Sequence, residues 1–82
     1  MTLIQIKELL SKYNVPQLWY SLDEGLKPDA YILLKNYSIW EYFYLDEKGN
    51  RREQVHFKSA EEAYDHLWRK IERELEMRGK CQ

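Results

Sequence analysis

The chain has 82 residues, with 13 Lys and Arg against 14 Asp and Glu, for a net charge of −1 at pH 7. That length suits one small domain, 1–82, and a dedicated duplex-binding module, which carries a clear excess of Lys and Arg, is excluded. With 44% hydrophobic and 33% charged residues the chain reads as globular rather than disordered, and no apolar run approaches the roughly 20 residues that span a bilayer.

Leu3, Ile6, Leu10 and Tyr13 recur at helical spacing, with Leu9 widening the stripe, which predicts a helix over 3–13. Thr2 and Gln5 form a candidate capping box. Asn14, Val15 and Pro16 stop the helix, because the residue before a proline avoids helical geometry. Alternation then predicts strands over 18–23, 30–36, 39–46 and 51–57. The connection from Asp23 to Asp29 carries Gly25 and Pro28 and is too long for a tight hairpin. In the third strand Trp40, Tyr42 and Tyr44 share one face, and Ile39, Glu41, Phe43 and Leu45 the other. Both faces are partly apolar, so periodicity does not decide which meets the helices. Ser59 and Glu62 open a last helix over 60–78, whose stripe runs through Ala63, Tyr64, Leu67, Trp68, Ile71 and Leu75 to a stop at Gly79.

Short connections favour an antiparallel meander of three to four strands. Two amphipathic helices need an apolar surface, so the expected fold is α+β, a two-layer sandwich with the N-terminal and C-terminal helices on one face. The other face is then expected to carry exposed aromatic side chains. The chain holds 7 Tyr, 3 Trp and 2 Phe, 15% of its residues. Rings of this kind are enriched at interaction hot spots.

Reactive chemistry finds little footing. Neither His56 nor His66 stands at a recognisable catalytic spacing from a Ser, a Cys or a carboxylate. Cys81 is the sole cysteine, so an internal disulfide and a Cys-based zinc site are not expected. No phosphate-cradling glycine loop is present, and the start MTLIQIKELL lacks the pattern of a secretory leader. The expectation is a reduced, cytoplasmic, non-catalytic domain without cofactor or metal. The helix–sheet–helix order is shared with double-stranded-RNA-binding domains. Those grip phosphate with a basic start to the last helix, whereas Glu61, Glu62 and Asp65 stand there in this chain. A protein partner fits better. Trp40, Tyr42 and Tyr44 would be its anchors, and Asp23, Glu24, Asp46 and Glu47 an acidic rim that speeds association with a basic surface. A small regulatory or adaptor domain, dimeric through the aromatic face, is the alternative, followed by a single-stranded nucleic-acid binder.

Several stretches together resemble a known group. They are Tyr20-Ser21-Leu22-Asp23-Glu24-Gly25, Asp29-Ala30-Tyr31, Trp40-Glu41-Tyr42-Phe43-Tyr44, Lys48-Gly49-Asn50-Arg51 and Phe57-Lys58-Ser59-Ala60-Glu61-Glu62-Ala63. In this order they resemble small immunity proteins of bacterial polymorphic-toxin and contact-dependent inhibition systems. Glu24 departs from the pattern, which has a second glycine there. The resemblance implies a stoichiometric inhibitor that binds a cognate toxin, often a nuclease, through a surface that blocks access by nucleic acid.

Overall fold

Thr2 opens the first helix in the computed structural model of the chain, which describes residues 1–78. Its hydroxyl accepts from the Gln5 amide at 3.2 Å, and the Gln5 side chain accepts from the Thr2 amide at 2.8 Å. The reciprocal pair satisfies two amides that helix geometry leaves without partners. The helix α1, Leu3–Lys12, buries Ile6 and Leu10. Asn14 takes a left-handed φ of 52°, a conformation its short polar side chain tolerates. A single 3-10 turn, Gln17–Trp19, follows Pro16 and leads into the sheet.

The sheet has four strands, β1 (Tyr20–Leu22), β2 (Ala30–Asn36), β3 (Ile39–Leu45) and β4 (Arg51–Phe57), in the spatial order β1-β2-β3-β4. The helix α2, Ala60–Met77, closes the described chain, with the Ser59 hydroxyl accepting from the Glu62 amide. The expected stop at Gly79 and the lone Cys81 lie outside the described residues. The α+β architecture with both helices on one face is therefore the observed one. One pairing differs from the expected meander: β2/β3 and β3/β4 are antiparallel, but β1 runs parallel to β2, with Tyr20 opposite Tyr31. The sheet is mixed.

The reason is length. The expected strand over 18–23 shrinks to three residues because 17–19 coil into the 3-10 turn. A three-residue strand is only about 10 Å long. The connection 23–29 can therefore run back to its start, where a longer parallel strand needs a helical crossover of a dozen or more residues. Asp23 and Asp29, each at φ 58°, bend the two ends of that connection. The Ser21 hydroxyl pins its middle, donating to the Gly25 carbonyl (2.7 Å) and accepting from the Glu24 amide (3.2 Å).

The two sheet faces are also assigned opposite to expectation. Leu33 and Tyr42 lie in the main core with Ile6, Leu10, Leu67, Ile71 and Leu75 of the helices. Trp40, Tyr31, Val55 and Phe57 pack around them. The expected open, ring-rich face is therefore the helix-facing one. Large rings on this face fill the layer between sheet and helices, which smaller side chains would leave hollow. The opposite face carries a second, smaller cluster of Ala30, Ile32, Phe43 and Leu45. The row Ser21, Ile32 and Phe43 is covered by the connection tied to Ser21 and by the Arg51 guanidinium, 4.5 Å above the Phe43 ring. Arg51 and His56 in turn flank the Glu41 carboxylate at 3.3 and 3.1 Å.

Candidate protein-binding groove

The seven residues singled out from sequence do not form one surface. Tyr42 is fully buried beneath α2 and offers a partner nothing, which corrects its assignment as an exposed anchor. Trp40 is half-buried, edge-on to Tyr64 with ring centroids 5.6 Å apart. The acidic residues are split between the two ends of β2. The Asp23 amide donates to the Leu33 carbonyl and its carboxylate accepts from the Lys35 amide, which places Asp23 and neighbouring Glu24 toward the far end of β2. Asp46 follows Leu45, which is opposite Ala30, the first residue of β2. Tyr44, Asp46 and Glu47 are brought near one another around Asp29, and Trp40, Asp23 and Glu24 are not. Asp46 itself organises the β3–β4 turn. Its carboxylate accepts from the Asn50 amide (2.8 Å), the Lys48 amide (3.0 Å) and Arg52 Nε (3.1 Å). The Asn50 amide above all holds its carboxyl below the ordinary range.

At that same end of the sheet the 3-10 turn, the start of β2, the end of β3 and the last turn of α2 enclose a groove of about 580 Å³. Trp19, Tyr31 and Tyr44 supply its rings, with Tyr31 and Tyr44 edge-on at 5.3 Å. Leu18 and Leu26 stand on its walls and are 77% and 56% exposed. Met77, 76% exposed, lines an adjoining depression that shares Tyr31 and Glu74. Large apolar side chains left in water beside a concave ring-lined surface are what a binding site presents before its partner arrives.

Charges at this groove are fixed rather than loose. The Arg78 guanidinium lies 4.6 Å over the Trp19 ring and is held from behind by Glu74 at 2.9 Å. Asp29 accepts a hydrogen bond from the Tyr44 hydroxyl. That bond, reinforced by burial, pushes the Tyr44 phenol up to about 12. The rings are therefore locked in place by their neighbours, which lowers the entropy a partner must remove on binding. The groove can bury an apolar side chain and direct polar contacts at its rim.

Of the site residues named from sequence, Tyr44 lines this groove and Asp46 and Glu47 lie in the depression beside it; Leu18, Trp19, Leu26 and Tyr31 were not among those named. A signal existed: Leu18 and Leu26 are large apolar residues in segments punctuated by Pro16, Gly25 and Pro28, where turns are ordinarily polar. Among the described residues no three His, Cys, Asp or Glu side chains gather as a metal site would require, and no helix is long and apolar enough to cross a membrane. Comparison with protein-family models, with curated proteins and with solved structures finds no match to the chain.

Proposed function

We propose that the chain is a non-catalytic protein-binding domain, an immunity protein that neutralises a cognate bacterial toxin in the cytoplasm by direct one-to-one binding. The observation that carries this reading is the groove in which exposed Leu18 and Leu26 flank the rings of Trp19, Tyr31 and Tyr44. Fully burying one exposed leucine contributes about 1.5–3 kcal/mol, so two leucines beside a ring platform supply apolar area of the size that anchors a partner. Asp29 and Glu74 line the groove, and Asp46 and Glu47 lie in the depression beside it, mixed with Lys27, Lys48, Arg52 and Arg78. Such a rim sets orientation and partner choice more than affinity. The resemblance of the sequence to small immunity proteins supplies the kind of partner.

The test is co-expression with the toxin-like product of the neighbouring gene. Protection of growth and recovery of an equimolar complex support the proposal. A toxic product that stays toxic, with no complex on size exclusion, overturns it.

A further inference from the structure

We infer that the free edge of β1 receives an extended segment of the protein partner, which joins the sheet as a fifth strand. This rests on the protein-binding reading and specifies the form of the partner's contact.

The backbone geometry of β1 is legible from its bonds. The Asp23 amide donates to the Leu33 carbonyl at 2.7 Å. In a parallel ladder the N–H and C=O of one residue point to the same side, and successive residues alternate. Ser21 and Asp23 therefore turn their backbone toward β2, and Tyr20 and Leu22 turn theirs away. The Tyr20 carbonyl agrees with this, since it accepts from Lys27 Nζ at 3.0 Å on the outer side. The same ammonium takes the Gln17 carbonyl at 3.0 Å.

Outside this edge lies a groove of about 580 Å³ between β1 and the C-terminal half of α1. Buried Leu10 and Val15 form its apolar part, Ser11, Asn14 and Gln17 its uncharged polar part, and Lys7, Glu24 and Lys27 its charged part. An added strand sits about 4.8 Å from its neighbour, so an extended segment paired with β1 would lie in this groove. The other edge of the sheet is defended. β4 carries Arg51, Arg52, Glu53 and His56. It also has a register shift opposite Tyr42 and Tyr44, with Glu53 left-handed at φ 55°. Charges and bulges are how sheet edges are kept from pairing. β1, with the sequence Tyr-Ser-Leu, carries no charge or bulge of its own, and the charged side chains beside its edge, Lys7, Glu24 and Lys27, come from neighbouring segments. Lys27 also lines the ring-floored groove, so the two depressions meet at that residue. A segment laid along β1 is thereby led toward Leu18 and Trp19. Main-chain hydrogen bonds to Leu22 would give it direction, and the groove would select one of its side chains.

The experiment is amide hydrogen exchange, read by NMR on the isotopically labelled chain alone and in complex with the cognate toxin. The Leu22 amide is expected to slow at least about tenfold on binding, more than the Asp23 amide that is already in the ladder. Leu22→Pro, which removes the outward N–H, is expected to weaken the complex at least about tenfold more than Leu22→Ala, which keeps it. If the proline variant does not fold, the exchange measurement decides alone. A complex that forms without slowing Leu22 overturns the added strand and leaves the protein-binding reading standing. Failure of any complex to form removes both.

Discussion

The rings of Tyr42 and His66 meet edge to face beneath α2, with centroids 4.5 Å apart and planes at 72°. Neither the Tyr42 hydroxyl nor His66 Nε2 has a hydrogen-bond partner among the described residues. Two polar groups are thus held by packing alone, with the Phe57 ring also tilted against the imidazole, centroids 5.2 Å apart. Buried polar groups without partners are costly, and each gives a measurable consequence.

His66 is expected to make folding stability depend on pH. Burial first, and then Lys70 and Arg69, push its pKa below 6.5, while Glu53 pulls weakly the other way. The unfolded chain therefore accepts a proton at a pH where the folded chain still resists it. Stability is fully present above that ordinary value and is lost as pH falls from 6.5 toward the depressed folded value. Urea midpoints measured between about pH 8 and pH 5 should fall on the acid side. His66→Phe should flatten that slope, and an unchanged slope in the variant would assign the dependence to another group.

The hydroxyl of Tyr42 is a group the fold would be better without. Burial above all raises its phenol well beyond the ordinary range. Tyr42→Phe removes an unpaired buried oxygen and keeps the ring, so it should stabilise the chain by about 1 kcal/mol. Tyr42→Ala should cost about 3–5 kcal/mol, because it opens a cavity in the main core. Equilibrium unfolding of the two variants separates the ring's contribution from the hydroxyl's.

Tyr37 caps the two-residue connection between Asn36 and Ile39 with a φ of 59° and 93% of its surface exposed. A bulky L-residue is strained there and glycine is not. Tyr37→Gly should raise the melting temperature, by an amount equivalent to about 1 kcal/mol. A lowered melting temperature would mean that the exposed ring makes contacts that outweigh the strain.

The helices were legible from sequence because their signals are local: the Thr2 and Gln5 reciprocal cap, the Ser59 cap and the stripe through Leu67, Ile71 and Leu75. The hairpin strands were legible from alternation. The direction of β1 was not, because it depends on how short the strand is, and that follows from the 3-10 turn at Gln17–Trp19. The orientation of β3 was not legible either. Trp40, Tyr42 and Tyr44 compete with Ile39, Phe43 and Leu45 for the core, and the outcome depends on the volume between sheet and helices. Misplacing that one strand face displaced the candidate site. Of the rings expected in water, Tyr42 is buried under α2, Trp40 packs against Tyr64 and Tyr44 lines the groove. Of the groove's exposed leucines, Leu18 lies where alternation reads a strand and a 3-10 turn forms, and Leu26 lies in the connection between β1 and β2.

The proposed seat of a partner at Leu18 and Leu26 is open to a direct check. Both side chains are largely exposed, so Leu18→Asp with Leu26→Asp should leave the melting temperature of the free chain nearly unchanged. Calorimetric titration of this double variant into the cognate toxin should show affinity weakened at least about thirtyfold, the equivalent of ~2 kcal/mol. Unaltered affinity from a normally folded double variant would show that the partner binds elsewhere.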